Sequence, residues 1–320
     1  MKSVHDILAD LWTLGGGEPS ALDAVTLTGR EPILPSSFRV GAASQVTIAA
    51  AGLAAAEIWK ARSGEAQGIS VDMMHAAVEC RSERYLRVDD KPPPPAWDAI
   101  AGVYKTGDGR FVRLHTNFPH HRDNVCKVLA CKPERDDVQR ALMQWKAEAF
   151  ETDAYAGGCV VSMMRSHDEW LATSQAQALE PLPLIQIEKI GEAAPRPWPA
   201  GDRPLAGLRV LDLSRVIAGP VAGRTWAAHG ADVMLVSSPN LPSIPWLVID
   251  TGRGKLTSFA DLKTEQGRNV LRDLLASADI FSQGYRPQSI AALGFSAEDA
   301  ARISPGIVYV SMCAYGHAGP

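Results

Sequence analysis

The sequence predicts an α/β protein built on a doubly wound, mostly parallel sheet, preceded by an α+β segment. Three observations carry this. Strand-length apolar runs alternate with helical spacing from about Leu205 to Pro320. The first of these runs is apolar with little alternation, as suits a parallel strand covered on both faces. The proline-rich stretch 192–204, EAAPRPWPAGDRP, separates this regular texture from a less regular first part. A length of 320 residues then suggests two domains, 1–200 and 201–320.

Taken in order, residues 1–40 are weakly patterned, and the glycines at 15–17 with Pro32 and Pro35 mark loops. Ser44–Arg62 reads as a helix capped by Ser44 and stopped at Ser63-Gly64, its alanines predicting close packing. Residues 69–74 alternate like a short strand, and 75–86 return to helical spacing. Pro92–Pro95 form a stiff link. The Gly-Asp-Gly turn at 107–109 lies between two strand-like runs and predicts a hairpin. Residues 120–180 read as mainly helical. After the linker come a strand at 208–213, a helix at 221–229 and a strand at 232–236. An amphipathic helix at 264–277, a strand at 279–281, a helix at 296–303 and a strand at 307–311 follow. That βαβαβ order predicts parallel strands with right-handed crossovers.

Composition narrows the partners. A net charge of −4 supplies no basic field, which argues against nucleic acid and anionic membranes. Five cysteines, an odd number without a CxxC pair, read as reduced thiols. The opening MKSVHDILADLW lacks a signal-peptide core. A cytoplasmic location is therefore expected. The alanine-rich run 46–56 falls short of the roughly 18 apolar residues that a membrane span needs.

Two turns carry candidate chemistry. Val216-Ile-Ala-Gly-Pro220 follows the first strand and opens a helix, so its small residues allow an anion to approach backbone amides. Ordinary strand–helix packing explains the same residues, and both readings stand. Gly284-Tyr-Arg-Pro287 follows a later strand, where an arginine and an aromatic suit a nucleotide's phosphate and adenine; taken alone it reads as a solvated loop. His115, His120, His121 and Cys126 meet no standard metal-ligand spacing, so no metal is expected. Asp108 reads as a turn aspartate, and Cys313 as a small buried residue.

Together, Pro204–Pro220, Gly230–Val233, Gly254-Lys255, Asp261–Thr264, Ala278–Phe295 and Ser304–Pro320 resemble the front part of family III CoA-transferases. This is the CaiB/BaiF group of formyl-CoA transferase, carnitine CoA-transferase and methylacyl-CoA racemase. Gly41 with the alanine helix, Ser63–Gln67, Val71–Met73, Ala76-Ala77 and Gly102–Gly109 resemble the family's rear part and small domain. The order is thus reversed, which implies a fused or permuted arrangement, truncated at its C-terminal end.

The resemblance implies a Rossmann-like fold that binds coenzyme A, or acyl-CoA as substrate, along the strand ends of 205–320. Arg215, Val216, Ile217 and Ala218 would lie beside the thioester and pantetheine arm. Lys255 and Arg286 would meet phosphates, with Gly284, Tyr285 and Ser289 at the nucleotide and Tyr315 near the acyl side. Ser237-Ser238 replaces the family's glutamate and its proline or arginine neighbour, which puts one CoA contact in doubt. The implied activity is CoA transfer between an acyl-CoA and a carboxylic acid through an aspartyl anhydride, by an interlocked homodimer. The aspartate's place in the first half is taken by Ala42, and in the second half it falls beyond Pro320. The 320-residue chain alone is therefore expected to be inactive. Two alternatives share the CoA site: an acyl-CoA racemase, and a non-catalytic CoA-binding or assembly subunit.

Overall fold

The computed structural model describes residues 2–320. Its strands, in chain order, are β1 (Val25–Thr28), β2 (Ile69–Asp72), β3 (Gly102–Lys105), β4 (Phe111–Leu114) and β5 (Val161–Met163). They continue with β6 (Arg209–Asp212), β7 (Asp232–Ser237), β8 (Lys255–Phe259), β9 (Ile280–Gln283) and β10 (Val308–Ser311). The chain divides into two compact units, and the division differs from the expected boundary at 200/201. Residues up to Pro92 join Leu182–His317 in one unit, while Pro93–Pro181 with Ala318–Pro320 form the other. The reason is physical: the first 92 residues bury their apolar and charged groups against the later segment.

In the first unit a five-stranded parallel sheet runs in the order β10-β9-β6-β7-β8. β6 lies at the centre. The chain winds outward through β7 and β8, then returns past β6 to add β9 and β10. Leu211, Leu213, Phe281, Leu271, Leu275 and Phe295 fill the main core beside it. The helix Glu265–Leu275 contributes its apolar stripe there, and Thr264 caps it by accepting the Gly267 N–H. The helix Ala297–Ile303 carries a capping box between Ser296 and Asp299. β8 escapes the apolar-run signal because it is an edge strand with Leu256 and Phe259 exposed.

The first 92 residues hold the long helix Val40–Ser63. It starts four residues before the expected Ser44. That hydroxyl does not cap; it bonds back to the Val40 carbonyl at 2.8 Å. At 24 residues the helix is long and apolar enough to cross a membrane, contrary to the shorter run expected. Here it is a packed helix. Val46 and Ala49 meet Leu8 of a helix the pattern did not reveal, Val4–Leu14. Buried Gln45 donates to the Thr28 and Val71 carbonyls, closing the parallel pair β1 and β2. Farther along, Ile58 packs against Leu205, Val210, Ala231 and Val233. Arg62 donates to the carbonyls of Pro199, Pro204 and Ala206.

A buried ionic knot makes the same connection. Arg224, from the helix Ala218–Ala228, donates to Asp250 Oδ2 at 2.9 Å and to Glu79 Oε1 at 2.5 Å. Ser82 Oγ donates to the same Asp250 oxygen at 2.8 Å. Asp250 and Arg224 are almost wholly buried, so each needs its partners; breaking such a pair costs about 3–5 kcal/mol.

The second unit contains the antiparallel sheet β3-β4-β5, with β3 and β4 forming the expected hairpin. Gly109 adopts φ +81 in its turn, and Asp108 accepts from Thr106 Oγ1 and the Ala147 N–H, the local role expected of it. Helices Pro119–Leu129, Arg135–Leu142 and Ala147–Ala156 cover a core of Ile100, Val112, Leu114, Val125, Leu142 and Phe150.

Candidate functional site

In a doubly wound sheet, ligands bind outside the carboxyl ends of the strands where the winding reverses direction. Here that point lies between β6 and β9. The two turns singled out in the sequence are the loops that leave these strands. After β6, Arg215 is half-buried and donates to the Pro242 carbonyl of the loop following β7. Val216 adopts φ +71, a left-handed conformation that strains a β-branched residue. Val216, Ile217 and Ala218 are exposed, and Ala218 begins an 11-residue helix. After β9, Gly284 and Arg286 are exposed and Gln288 again has φ +67. Strain thus sits on both loops that meet at the reversal.

Tyr285 folds back over the core beside Arg215 and Asp212. Burial pushes its phenol upward, against the pull of the Arg215 charge, so it stays protonated at neutral pH. The Arg286 guanidinium makes no hydrogen bond or ion pair among the described residues. Ser289 is exposed on the same loop, and Tyr315 is exposed beyond β10. These placements bring Arg215, Val216, Ile217, Ala218, Gly284, Tyr285, Arg286, Ser289 and Tyr315 to one edge of the sheet.

Lys255 belongs elsewhere, and this corrects the expected phosphate contact. It is the first residue of β8, opposite Val233, at the amino end of its strand. Its side chain is fully buried and donates to Asp212 Oδ2 at 2.9 Å and the Pro220 carbonyl at 2.7 Å. Burial lowers the ammonium's pKa while the Asp212 carboxylate holds it up. Ser214 satisfies the other Asp212 oxygen through its hydroxyl at 2.5 Å and its N–H at 2.9 Å. The glycines of the neighbouring helix serve this cluster. A Cβ on Gly219 would lie 2.3 Å from Ser214 Cβ, and one on Gly223 2.4 Å from Asp212 Oδ2. The packing reading of the Val216–Pro220 turn holds at Gly219, with Gly223 further along the helix serving the same close approach, while the start of the turn is exposed.

Ala42 is buried, with its N–H donating to Glu31 Oε1 at 2.7 Å. Its methyl group offers no nucleophile. In the other unit, His120 and His121 lie ring to ring at 4.2 Å, and burial lowers the His115 pKa. Among the described residues no group of three or more His, Cys, Asp or Glu side chains could hold a metal. The residue reading did not single out Asp212, Gln283 and Ser311. A carboxylate or amide closing an apolar strand was the available signal.

Residues 205–320 match the family model described as CoA-transferase family III. The chain is 32% identical over 249 residues to the acetyl-coenzyme A transferase nodX of Hypoxylon pulicicidum, covering 69% of this chain and 41% of that protein. It is 27% identical to an acyl-CoA transferase of Gibberella moniliformis, covering 94% of this chain and 60% of that one. It is 33% identical to the succinate–glutarate CoA-transferase of Agrobacterium fabrum, over 37% of this chain and 34% of that protein. The similarity to CoA-transferase family III is thus carried by residues 205–320. It spans less than two thirds of the length of these relatives.

Proposed function

We propose that the chain is part of an acyl-CoA:carboxylate CoA-transferase, and that residues 205–320 supply its coenzyme A site. The observation that carries this reading is the convergence of the β6 and β9 loops at the winding reversal, with Arg286 uncommitted at the rim. CoA would lay its phosphates toward Arg286, its adenine toward Tyr285 and Ser289, and its thioester toward Val216–Ala218. A guanidinium pairs with phosphate oxygens through two parallel hydrogen bonds. The names of the relatives, two of them acyl-CoA or acetyl-CoA transferases, support a thioester substrate, and the succinate–glutarate enzyme supports a carboxylic acid acceptor. The match to the Gibberella protein runs along 94% of this chain, which supports reading the reversed segment order as one fused family arrangement. A homodimer in the cytoplasm remains part of this proposal.

A second reading has its own observation. The buried Ala42 methyl stands where the family's attacking aspartate is expected, which favours CoA binding without transfer by these 320 residues. Calorimetric titration with CoA, paired with an assay of CoA transfer from succinyl-CoA to glutarate, tests both readings. Binding without transfer is the expected result. Absence of CoA binding would remove the site, and robust transfer would remove the second reading.

A further inference from the structure

The last residues of β9 and β10 carry a polar chain that the CoA reading leaves unused. Gln283 and Ser311 are register partners on these adjacent strands. Gln283 is 6% exposed, and its Oε1 accepts the Tyr285 backbone N–H at 2.8 Å. A backbone amide can only donate, so the orientation of the Gln283 side chain is settled by chemistry. Its Nε2 then donates to Ser311 Oγ at 2.6 Å. His317 Nε2 lies 3.0 Å from the same Oγ. Oγ keeps its hydrogen to donate, and the imidazole can accept it in the tautomer protonated on Nδ1. Behind Gln283, the Tyr309 phenol donates to the Phe295 carbonyl at 3.1 Å, and burial pushes its pKa up to about 12, so it is not a competing base. Ser311 and His317 are both exposed, on the sheet edge that holds Arg286 and Tyr315.

A hydroxyl held between an oriented donor and an imidazole acceptor is the arrangement of a base-activated nucleophile. We propose that Ser311 and His317 form a nucleophile–base pair that acts on activated acyl groups, thioesters in particular. Oγ attacks the carbonyl carbon while its proton passes to His317 Nε2. The carbon–sulfur bond breaks, the thiol leaves with that proton, and the acyl group stays on Ser311 as an ester. Water then attacks the ester, giving one proton to His317, which returns it to Oγ as the carboxylic acid departs. The net reaction is thioester and water to thiol and acid.

The test uses the full chain and p-nitrophenyl acetate, a donor without any CoA moiety, so its outcome is independent of the CoA site. Peptide mass spectrometry after brief exposure should find an acetyl group on Ser311. The adduct should vanish in Ser311→Ala and form at least tenfold more slowly in His317→Ala, with both variants checked for native circular dichroism. Acetyl-CoA should give the same adduct. No acetylation at Ser311, or an unchanged rate in His317→Ala, overturns the pair. Acetylation by the ester but not by acetyl-CoA overturns the thioester assignment.

Discussion

Two cations of the parallel-sheet unit, Lys255 and Arg286, have opposite fates. Lys255 lies at the floor, sealed under the helix Ala218–Ala228 and bound to Asp212, with neither side chain exposed. Arg286 lies at the rim, exposed and uncommitted. The floor cation is held by a carboxylate and a carbonyl, and its side chain is sealed from solvent. The rim cation is hydrated and pays no comparable burial cost, so its charge remains available to an incoming anion. Depth separates a basic residue that serves stability from one left open to solvent.

Lys255→Met is the sharpest way to break this contrast, because it leaves Asp212 buried without its cation. It should cost about 3–5 kcal/mol of stability, read as a lower urea midpoint. A loss below 1 kcal/mol with weakened CoA binding would move Lys255 to the rim. Arg286→Ala should do the reverse: stability within about 0.5 kcal/mol of the parent, and CoA affinity weaker by about 10- to 150-fold, from a lost charge-assisted contact of roughly 1.5–3 kcal/mol. That loss should shrink at high salt. Equal dissociation constants in calorimetry would take Arg286 out of the site. Gly223→Ala crowds the floor alone and should cost about 1–3 kcal/mol, since the helix must lift from Asp212 and Lys255. Thr264→Ala lies away from both places and should cost about 1 kcal/mol, the ordinary worth of an N-cap. A change in CoA affinity in this last variant would show that the regions are not independent.

Much of the fold was legible where one physical signal dominated. The apolar run around Val210–Leu213 marked the central strand, Thr264 marked a helix start, and the Gly-Asp-Gly turn marked a hairpin. The turns Val216–Pro220 and Gly284–Pro287 stood out for a similar reason: each follows an identified parallel strand. Other elements lacked such a signal. β8 is a half-exposed edge, and the helix Val4–Leu14 opens on a Ser3–Asp6 capping box where glutamate or glutamine is the usual cue. The burial of Lys255 follows from a pairing with Asp212 across 43 residues, and the Gln283–Ser311 bond spans 28. Periodicity within a short window does not register such pairings. The unit boundary was hidden likewise, since the contacts of Arg62 and Arg224 that override it span 137 to 145 residues.

Those same long spans set a timetable for the newborn chain. Glu79 is made 145 residues before Arg224, the cation that receives it. At ribosomal speeds of about 5–20 residues per second, the early helices wait roughly 7 to 30 seconds for their counterpart. In that interval Ile58 and the apolar face around it have no sheet to cover. The intervening segment Pro93–Pro181, with its local hairpin and short helices, can fold within the same delay. Slowing synthesis after residue 181 would lengthen the exposure of the early segment, and chaperone demand or early proteolysis near residue 60 would rise with it.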